Sequence, residues 1–219
     1  MNKEDTALKI LKILKKEYPK YKKPVATYFQ ETTKDPFKVL ISTILSPRAK
    51  DKQTEKVSMQ LFKIADIPEK LLKINDNDLQ KIIYSIGFYK IKSKRIKQAS
   101  KYLLENHNGK VPNKFEDLIK IPGVGRKVAN IILAECFNQD KIAVDVHQHR
   151  LPNRIGLIKT RNPIETEKAL MKIYPMKEWK TLNRYFVVFG QNVCLPISPK
   201  CSICPVNKYC SKLGVKHSR

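Results

Sequence analysis

Lys127 is a candidate nucleophile, because it directly follows the glycine-containing stretch PGVGR at residues 122–126. If a helix begins here, the positive end of its dipole and the neighbouring Arg126 both disfavour the ammonium form. A neutral lysine can attack a carbonyl or acetal carbon. A charged lysine at the same place would instead bind phosphate. The position of Lys127 therefore leaves two interpretations, a nucleophile and an anion-binding cation.

Four cysteines near the C-terminus form a second candidate site, with the spacing C-x6-C-x2-C-x5-C. They are Cys194, Cys201, Cys204 and Cys210. Clustered thiolates can surround one metal centre, and the segment would gain its fold from that binding. Structural zinc usually takes two C-x2-C pairs. One close pair with longer loops favours an iron–sulfur cube over zinc, and a disulfide is the least favoured interpretation. Cys136, in the apolar run ILAECF, is predicted to be a buried free thiol.

The stretch LIKIPGVGRKVANIILAE, residues 118–135, must position Lys127. Apolar residues have helical spacing on both sides of the glycines, so the pattern predicts a helix, a tight turn and a second helix. Pro122 prevents simple continuation of the first helix, and Gly123 and Gly125 permit positive φ angles. Such a turn presents backbone N–H groups at a helix start, where phosphate binds readily. A glycine-containing connector between two helices is the alternative interpretation.

The charge of the chain indicates a polyanionic partner. The net charge is +24, from 44 lysines and arginines against 20 acidic residues. Nucleic acid is the usual partner of a protein with so large a positive charge. The basic cluster YKIKSKRIK at residues 89–97 supports a nucleic-acid partner. A lysine-rich surface from compositional bias is the alternative. The apolar runs are too short to cross a bilayer, and the N-terminal residues lack signal-peptide features. We expect a cytoplasmic, nucleoid-associated protein of a prokaryotic-type cell.

Asp145 is the second candidate for chemistry, since no other acidic residue lies between Asp140 and Glu165. It follows an apolar triplet and precedes a predicted helix, which is typical of an N-cap residue. A carboxylate held at a helix start can also stabilise a cationic transition state. His147 and His149 lie two residues apart, so their side chains diverge on a helix. We interpret both histidines as structural or DNA-facing, and not as metal ligands.

Helices must position these residues, because the pattern is almost entirely helical and contains no alternating strands or hairpin turns. Asp35-Pro36 and Asn162-Pro163 each place a capping residue before a proline at the first helical position. The chain is therefore expected to be all-α, and its cysteine-containing tail must be organised by those cysteines. The predicted helices lie at residues 5–17, 36–46, 51–64, 68–73, 77–85, 92–106, 115–121, 126–138, 146–155, 164–173 and 178–193.

In combination, these motifs resemble the endonuclease III family of helix–hairpin–helix DNA glycosylases, and the resemblance covers nearly the whole chain. Each motif alone is moderately specific, whereas their order and spacing together are very specific. The motifs are IPGVGRK (121–127), VDVH (144–147) and the cysteine spacing, together with DPFKVLISTILSPRAKD (35–51), SIGFYKIKSKRI (85–96) and ENHNGKVPNKFEDLIKIPGVGRK (105–127).

The resemblance implies a DNA base-excision repair enzyme, a DNA N-glycosylase and AP lyase that acts on oxidised pyrimidines in duplex DNA. Lys127 matches the catalytic lysine and Asp145 the catalytic aspartate of the family. The four C-terminal cysteines match the ligands of a [4Fe–4S] cluster. The DNA-binding residues implied are those of the hairpin and of two loops that fill the space left by the flipped nucleotide, namely Gly123, Val124, Gly125 and Arg126, with Arg48 and Phe88.

The resemblance also implies a two-lobed all-α fold and a monomer. One lobe is a helical barrel with the helix–hairpin–helix, expected at residues 29–138. The other lobe joins both chain ends, residues 1–28 and 139–219, and carries the cluster.

The sequence departs from the family at positions that bear on lesion and opposite-base preference. Arg48 stands where bacterial members carry glutamine, and Phe88 stands where they usually carry leucine; for Phe88 a core aromatic is the alternative. The run after Asp145 also differs from the bacterial sequences.

Three other functions compete with a lyase. A non-catalytic DNA-binding module would need neither Lys127 nor Asp145. A mismatch glycosylase of the same superfamily, acting on T or A opposite G, often lacks the lysine. An iron–sulfur electron carrier would not need a net charge of +24.

Overall fold

The computed structural model describes residues 2–21 and 35–219, apart from the side chain of Asp51. Within those ranges the regular elements are helices, which confirms the all-α prediction. The α-helices are α1 Lys3–Glu17, α2 Pro36–Leu45, α3 Asp51–Ile64, α4 Pro68–Lys73, α5 Asp76–Ile83, α6 Tyr89–His107, α7 Phe115–Leu118, α8 Arg126–Glu135, α9 Val146–Ile155, α10 Pro163–Ile173 and α11 Trp179–Asn192. Short 3-10 helices occupy Tyr18–Lys20, Met176–Glu178 and Asn207–Tyr209.

Local sequence signals explain where the helices begin. The side chain of Asp35 accepts hydrogen bonds from the N–H groups of Phe37 at 2.9 Å and Lys38 at 3.3 Å. Asn162 caps α10 in the same way, accepting from Glu165 N–H at 2.9 Å. These contacts satisfy amides that the first helical turn leaves without an intrahelical partner. Both capping predictions are therefore confirmed.

The helix ends depart from the predictions by a few residues. The helix predicted at 126–138 ends at Glu135, because Asn138 adopts a left-handed conformation with φ 54° and the Gln139 N–H bonds to the Leu133 carbonyl at 2.9 Å. Such a bond closes the C-terminus of a helix. The helix predicted from residue 92 begins earlier, at Tyr89.

The chain divides into two compact units, which we call the middle unit, Pro24–Gln139, and the terminal unit, Met1–Lys23 with Asp140–Arg219. The predicted boundary between residues 28 and 29 lies outside the described residues. In the middle unit α2 packs against α3, α6 and α8, and α6 packs against α4 and α5. Because α2 is surrounded in this way, eight of its residues, Phe37 and Val39–Leu45, are buried.

The terminal unit has its own hydrophobic core. Helix α11 packs against α9 and α1. Phe186 of α11 is fully buried, and it belongs to the same hydrophobic cluster as Leu11 of α1 and Leu151 of α9. Among the helices of the described ranges, none combines the length and the apolar character needed to traverse a bilayer.

Candidate functional site

The predicted hairpin of the middle unit is a tight turn between α7 and α8. Ile121 is buried, and its carbonyl accepts a hydrogen bond from the N–H of Val124 at 3.0 Å. Val124 is also buried, so it anchors the turn to the unit's core. Gly123 has φ +88°, a conformation that side-chain-bearing residues rarely adopt, and this explains the glycine.

The N-terminus of α8 is open to a ligand. Gly125 is its N-cap and supplies no side-chain hydrogen bond to the first turn. Apart from its sequence neighbours and the backbone of its own helix, no heavy atom of the described residues lies within 4 Å of the position that a Cβ on Gly125 would take. Arg126 and Lys127 are both exposed in the first turn. The guanidinium carbon of Arg126 lies 5.1 Å from the ring centroid of Phe115, which holds this charge beside the turn.

Arg95 is a basic residue at the hairpin that the sequence analysis did not single out. The Cδ atom of this exposed arginine would lie 3.7 Å from a Cβ placed on Gly123. In the sequence, Arg95 belongs to the basic cluster at residues 89–97. No pattern in the sequence indicated that this cluster lies beside the hairpin. The structure thus places three basic residues, Arg95, Arg126 and Lys127, around one glycine turn.

Arg48 and Phe88 lie together in the same unit. Arg48 is in the loop between α2 and α3, and Phe88 is the N-cap of α6. The guanidinium carbon of Arg48 is 5.4 Å from the ring centroid of Phe88. Because Phe88 is 54% exposed, the alternative interpretation of a core aromatic is wrong.

Asp145 begins α9 in the terminal unit and is its N-cap, as one interpretation of the sequence anticipated. Its side chain accepts the N–H of Gln148 at 2.8 Å. The Nδ2 group of Asn183, on α11, donates to the Ala143 carbonyl at 2.7 Å and to Gln148 Oε1 at 3.3 Å. Asn183 therefore holds the segments before and after Asp145. No local pattern in the sequence pointed to it.

The two histidines of α9 make contacts within the terminal unit. His149 Nδ1 lies 2.6 Å from the Thr166 hydroxyl, and His147 Nδ1 lies 3.1 Å from an Nη2 group of Arg150. The same Arg150 nitrogen donates to the Cys194 carbonyl at 2.8 Å. These contacts give both residues a structural role, in agreement with the first of the two interpretations from the sequence.

The four C-terminal cysteines are free thiols that line one cavity of the terminal unit. Together with its opening to solvent, the space between the lining residues that protein atoms do not fill is about 370 Å³. Arg154 lies at its wall, nearly buried, and donates through Nη1 to Cys194 Sγ at 3.4 Å and to the Leu195 carbonyl at 2.7 Å. The Lys212 N–H donates to Cys210 Sγ at 3.3 Å.

This cavity fits an iron–sulfur cluster. Burial raises the pKa of the Cys204 thiol to about 11, and burial also raises the pKa of Cys210. Buried thiolates therefore need a strong compensating charge, which a metal centre supplies. N–H groups aimed at sulfur, such as those of Arg154 and Lys212, are the contacts that stabilise thiolate-bound clusters.

Cys136 belongs to the middle unit and is not among the residues that line this cavity. It is a free thiol, as predicted, but it is partly exposed and not fully buried. Partial burial of this thiol, with the nearby charge of Glu135, still raises its pKa to about 12. A thiol of this kind is mostly protonated near neutral pH and is a poor nucleophile.

Comparison with known proteins agrees with this geometry. Residues 41–176 match the family model described as HhH-GPD superfamily base excision DNA repair protein, and residues 194–210 match the iron-sulfur binding domain of endonuclease III. Endonuclease III of Thermotoga maritima is 46% identical over 176 residues, which is 80% of this chain and 83% of the relative. Endonuclease III of Synechocystis sp. is 34% identical over 210 residues, 95% of this chain and 93% of the relative.

A solved structure extends the similarity to three dimensions. A trapped endonuclease III–DNA covalent intermediate matches with a TM-score of 0.86 and 31% sequence identity, covering 97% of each chain. The match therefore extends well beyond the hairpin and the cysteine segment.

Proposed function

Since the chain belongs to the endonuclease III family of base excision repair glycosylases and lyases, we propose that it removes oxidised pyrimidines from duplex DNA and cuts the strand 3′ to the lesion. The observation that carries this proposal is the placement of Lys127, an exposed amine in the first turn of α8, directly after the glycine turn. The similarity to a trapped endonuclease III–DNA covalent intermediate supports a covalent step here as well.

In this proposal the hairpin grips the backbone of the damaged strand. The amides at the start of α8 face a phosphate, helped by the helix dipole. Gly125 leaves room for that approach, and Arg126 and Arg95 add positive charge around Gly123. Contacts of this type position the strand without reading its sequence. The target nucleotide leaves the base stack so that its sugar carbon C1′ reaches Lys127.

Lys127 then acts as the nucleophile. Once it has given up its proton to solvent, the amine attacks C1′, and the glycosidic bond breaks with its electron pair leaving on the base, which takes up the proton that the attached nitrogen loses. The nitrogen lone pair then expels O4′, which leaves with the C1′–O4′ electron pair and takes up a proton from water. The product is an open-chain protonated Schiff base, which makes the C2′ proton acidic. Loss of that proton expels the 3′ phosphate, so the strand is cut, and water finally releases Lys127.

Asp145 supplies negative charge to the sugar as the base leaves. Positive charge develops on C1′ in that step, and a fixed carboxylate stabilises it. Oδ1 of Asp145 accepts a hydrogen bond from the Gln148 N–H, and the Asn183 side chain donates to the backbone carbonyl of Ala143. The carboxylate is therefore positioned before substrate binds. The N-cap role and the catalytic role therefore support each other.

The cofactor of the chain is a [4Fe–4S] cluster. We propose Cys194, Cys201, Cys204 and Cys210 as its ligands, because their thiols line one cavity beside the side chain of Arg154. When bound, the cluster would link the four cysteine thiolates to one another and so order the C-terminal segment. This proposal leaves Cys136 without a role in the cofactor.

Replacing one ligand should remove the cofactor. Purified wild-type protein should contain about four iron and four sulfide per chain, as expected for a cube held by four thiolates. Cys201→Ser should lose most of this iron, whereas Cys136→Ser should retain all of it. Iron and sulfide assays together with absorbance spectra measure this. Colourless wild-type protein with one tightly bound zinc would contradict the assignment.

We further propose that the protein acts as a monomer in the cytoplasm, associated with the nucleoid of a prokaryotic cell. The hairpin, Lys127, Asp145 and the four cysteines all belong to one chain, which supports a monomer. The bacterial origin of the similar proteins supports the location.

The proposal is tested with duplexes that carry an abasic site, thymine glycol or a T·G mismatch, incubated with and without borohydride. We expect excision of thymine glycol, cleavage at the abasic site and a borohydride-trapped adduct with both. Activity confined to the T·G duplex, without strand cleavage, would identify a mismatch glycosylase instead. Binding to all three duplexes without any product would identify a non-catalytic DNA-binding protein.

A further inference from the structure

Gln148 carries a carboxamide that is buried inside the terminal unit. The residue has no exposed surface, and it lies in the first turn of α9, three residues after Asp145. Its Oε1 atom accepts a hydrogen bond from Nδ2 of Asn183 at 3.3 Å. Its Nε2 group has no acceptor among the described residues. Because a buried amide without a partner lowers stability, this side chain calls for an explanation other than packing.

Asn183 connects this carboxamide to the chain that leads into α9. The same Nδ2 group donates to the backbone carbonyl of Ala143 at 2.7 Å. Ala143 is buried and lies two residues before Asp145, whereas Gln148 lies three residues after it. The two hydrogens of one amide group therefore bridge both sides of the turn that carries the carboxylate. We call Gln148 and Asn183 the carboxamide pair.

The turn needs an anchor outside α9 because Asp145 is an N-cap residue. Its backbone is extended, with φ −107° and ψ −173°. The helix holds its carbonyl, which accepts the His149 N–H at 2.8 Å, but not the chain that precedes it. Residues 139–144 belong to no helix. A small rotation of this preceding chain would therefore turn the Asp145 carboxylate away from its position.

Contacts from α11 to this preceding chain differ in kind. Nζ of Lys180 lies 3.8 Å from Oδ1 of Asp140, but both side chains are partly exposed, and ion pairs at a surface contribute little. Asn183 instead makes a short hydrogen bond to the carbonyl of a buried residue. Gln148 fixes the direction of this amide by accepting its other hydrogen. The carboxamide pair is therefore the firmer of these two attachments.

We infer that the carboxamide pair positions the Asp145 carboxylate for the step in which the base leaves, and that Gln148 serves this function although its buried amide lowers stability. Both members are positioning residues, because they act through Asp145. This inference rests on the proposed function above, since it assumes the stabilising role of Asp145. A charge aimed in advance at the forming C1′ cation needs no rearrangement during the reaction.

The effect of the pair should be confined to the first chemical step. Positive charge develops at C1′ while the glycosidic bond breaks, and a fixed carboxylate is needed at that moment. On a preformed abasic site the base is already absent, so cleavage depends on Lys127 and much less on Asp145. A variant that is merely misfolded would slow both steps together.

The inference is tested by two substitutions that keep much of the side-chain volume. Asn183→Leu removes the donor to Ala143 and should slow single-turnover excision of thymine glycol roughly 10²-fold, the scale expected when a catalytic group is displaced by about 1 Å. Gln148→Met should slow excision less, by about tenfold, because Asn183 keeps its bond to Ala143. Cleavage of a preformed abasic site, and the Kd for a tetrahydrofuran abasic analogue, should stay close to the wild-type values in both variants.

Thermal melting separates positioning from folding. Gln148→Met removes the amide that lacks an acceptor among the described residues, so it should melt at or above the wild-type temperature while it excises more slowly. Asn192→Ala is the matched control and should excise at the wild-type rate, because Nδ2 of Asn192 donates at 2.8 Å to Val188 within α11 itself. The double variant Gln148→Met/Asn183→Leu should be no slower than Asn183→Leu alone, since the two residues act as one unit.

The outcomes distinguish this inference from the proposed function. Gln148→Met protein that excises at the wild-type rate would overturn the inference, even if Asn183→Leu fails to fold. Equal slowing of excision and of abasic-site cleavage, or a lower melting temperature of Gln148→Met, would also overturn it. Normal excision by Asp145→Asn would instead remove the proposed role of Asp145. Slow excision by Asp145→Asn with normal excision by the pair variants would overturn the inference alone.

Discussion

Lys127→Gln protein is expected to form no borohydride-trapped adduct with DNA that contains an abasic site. The lone pair of a glutamine amide nitrogen is delocalised, so this side chain cannot form a Schiff base with C1′. Strand cleavage should fall roughly 10³-fold or more, the scale seen when enzymes lose a nucleophile. Denaturing gels measure both the trapped adduct and the cleaved strand in the same reaction.

A matched lysine variant controls for the loss of charge. Lys101→Gln removes one positive charge from α6 in the same unit, where Lys101 pairs with Glu105 at 3.6 Å. This variant should trap DNA at the wild-type yield. Lys127 is exposed and the buried face of α8 is not altered, so Lys127→Gln should melt at the wild-type temperature. Trapping of the Lys127→Gln protein at the wild-type yield would mean that another amine is the nucleophile.

Asp145→Asn is expected to slow base removal by roughly 10² to 10³, because a preorganised charge that stabilises the transition state is lost. Asparagine caps helices about as well as aspartate does. The hydrogen bond from the Gln148 N–H to the side-chain oxygen, 2.8 Å long in the wild type, should therefore persist. Single-turnover excision of thymine glycol measures the rate, and binding to an abasic analogue should remain close to wild type.

Asp35→Asn is the control for this substitution. Asp35 is also an N-cap aspartate, and it accepts N–H groups from Phe37 and Lys38 at the start of α2. Its replacement removes the same charge at a comparable position in the middle unit, so excision should proceed at the wild-type rate. Equal slowing in both variants would assign the effect to capping or net charge, and Asp145 would lose its catalytic role.

The sequence by itself determined the features that depend on neighbouring residues. Asp35-Pro36 and Asn162-Pro163 start helices because the cap and the proline act on their own first turn. Gly123 marked the tight turn because its positive φ angle is a local requirement. The order and spacing of the hairpin, the VDVH run and the four cysteines were enough to identify the family, the chemistry and the cofactor.

Only the tertiary structure decided which distant side chains meet. Arg95 lies beside Gly123, Asn183 holds the backbone around Asp145, and Arg154 donates to Cys194. The contact between Arg48 and Phe88 likewise joins two loops that are far apart in the chain. Periodicity predicts which face of a helix is buried, but it carries no information on which helix that face will meet. Such partners are set by the packing of whole helices, which depends on all the residues of a unit at once.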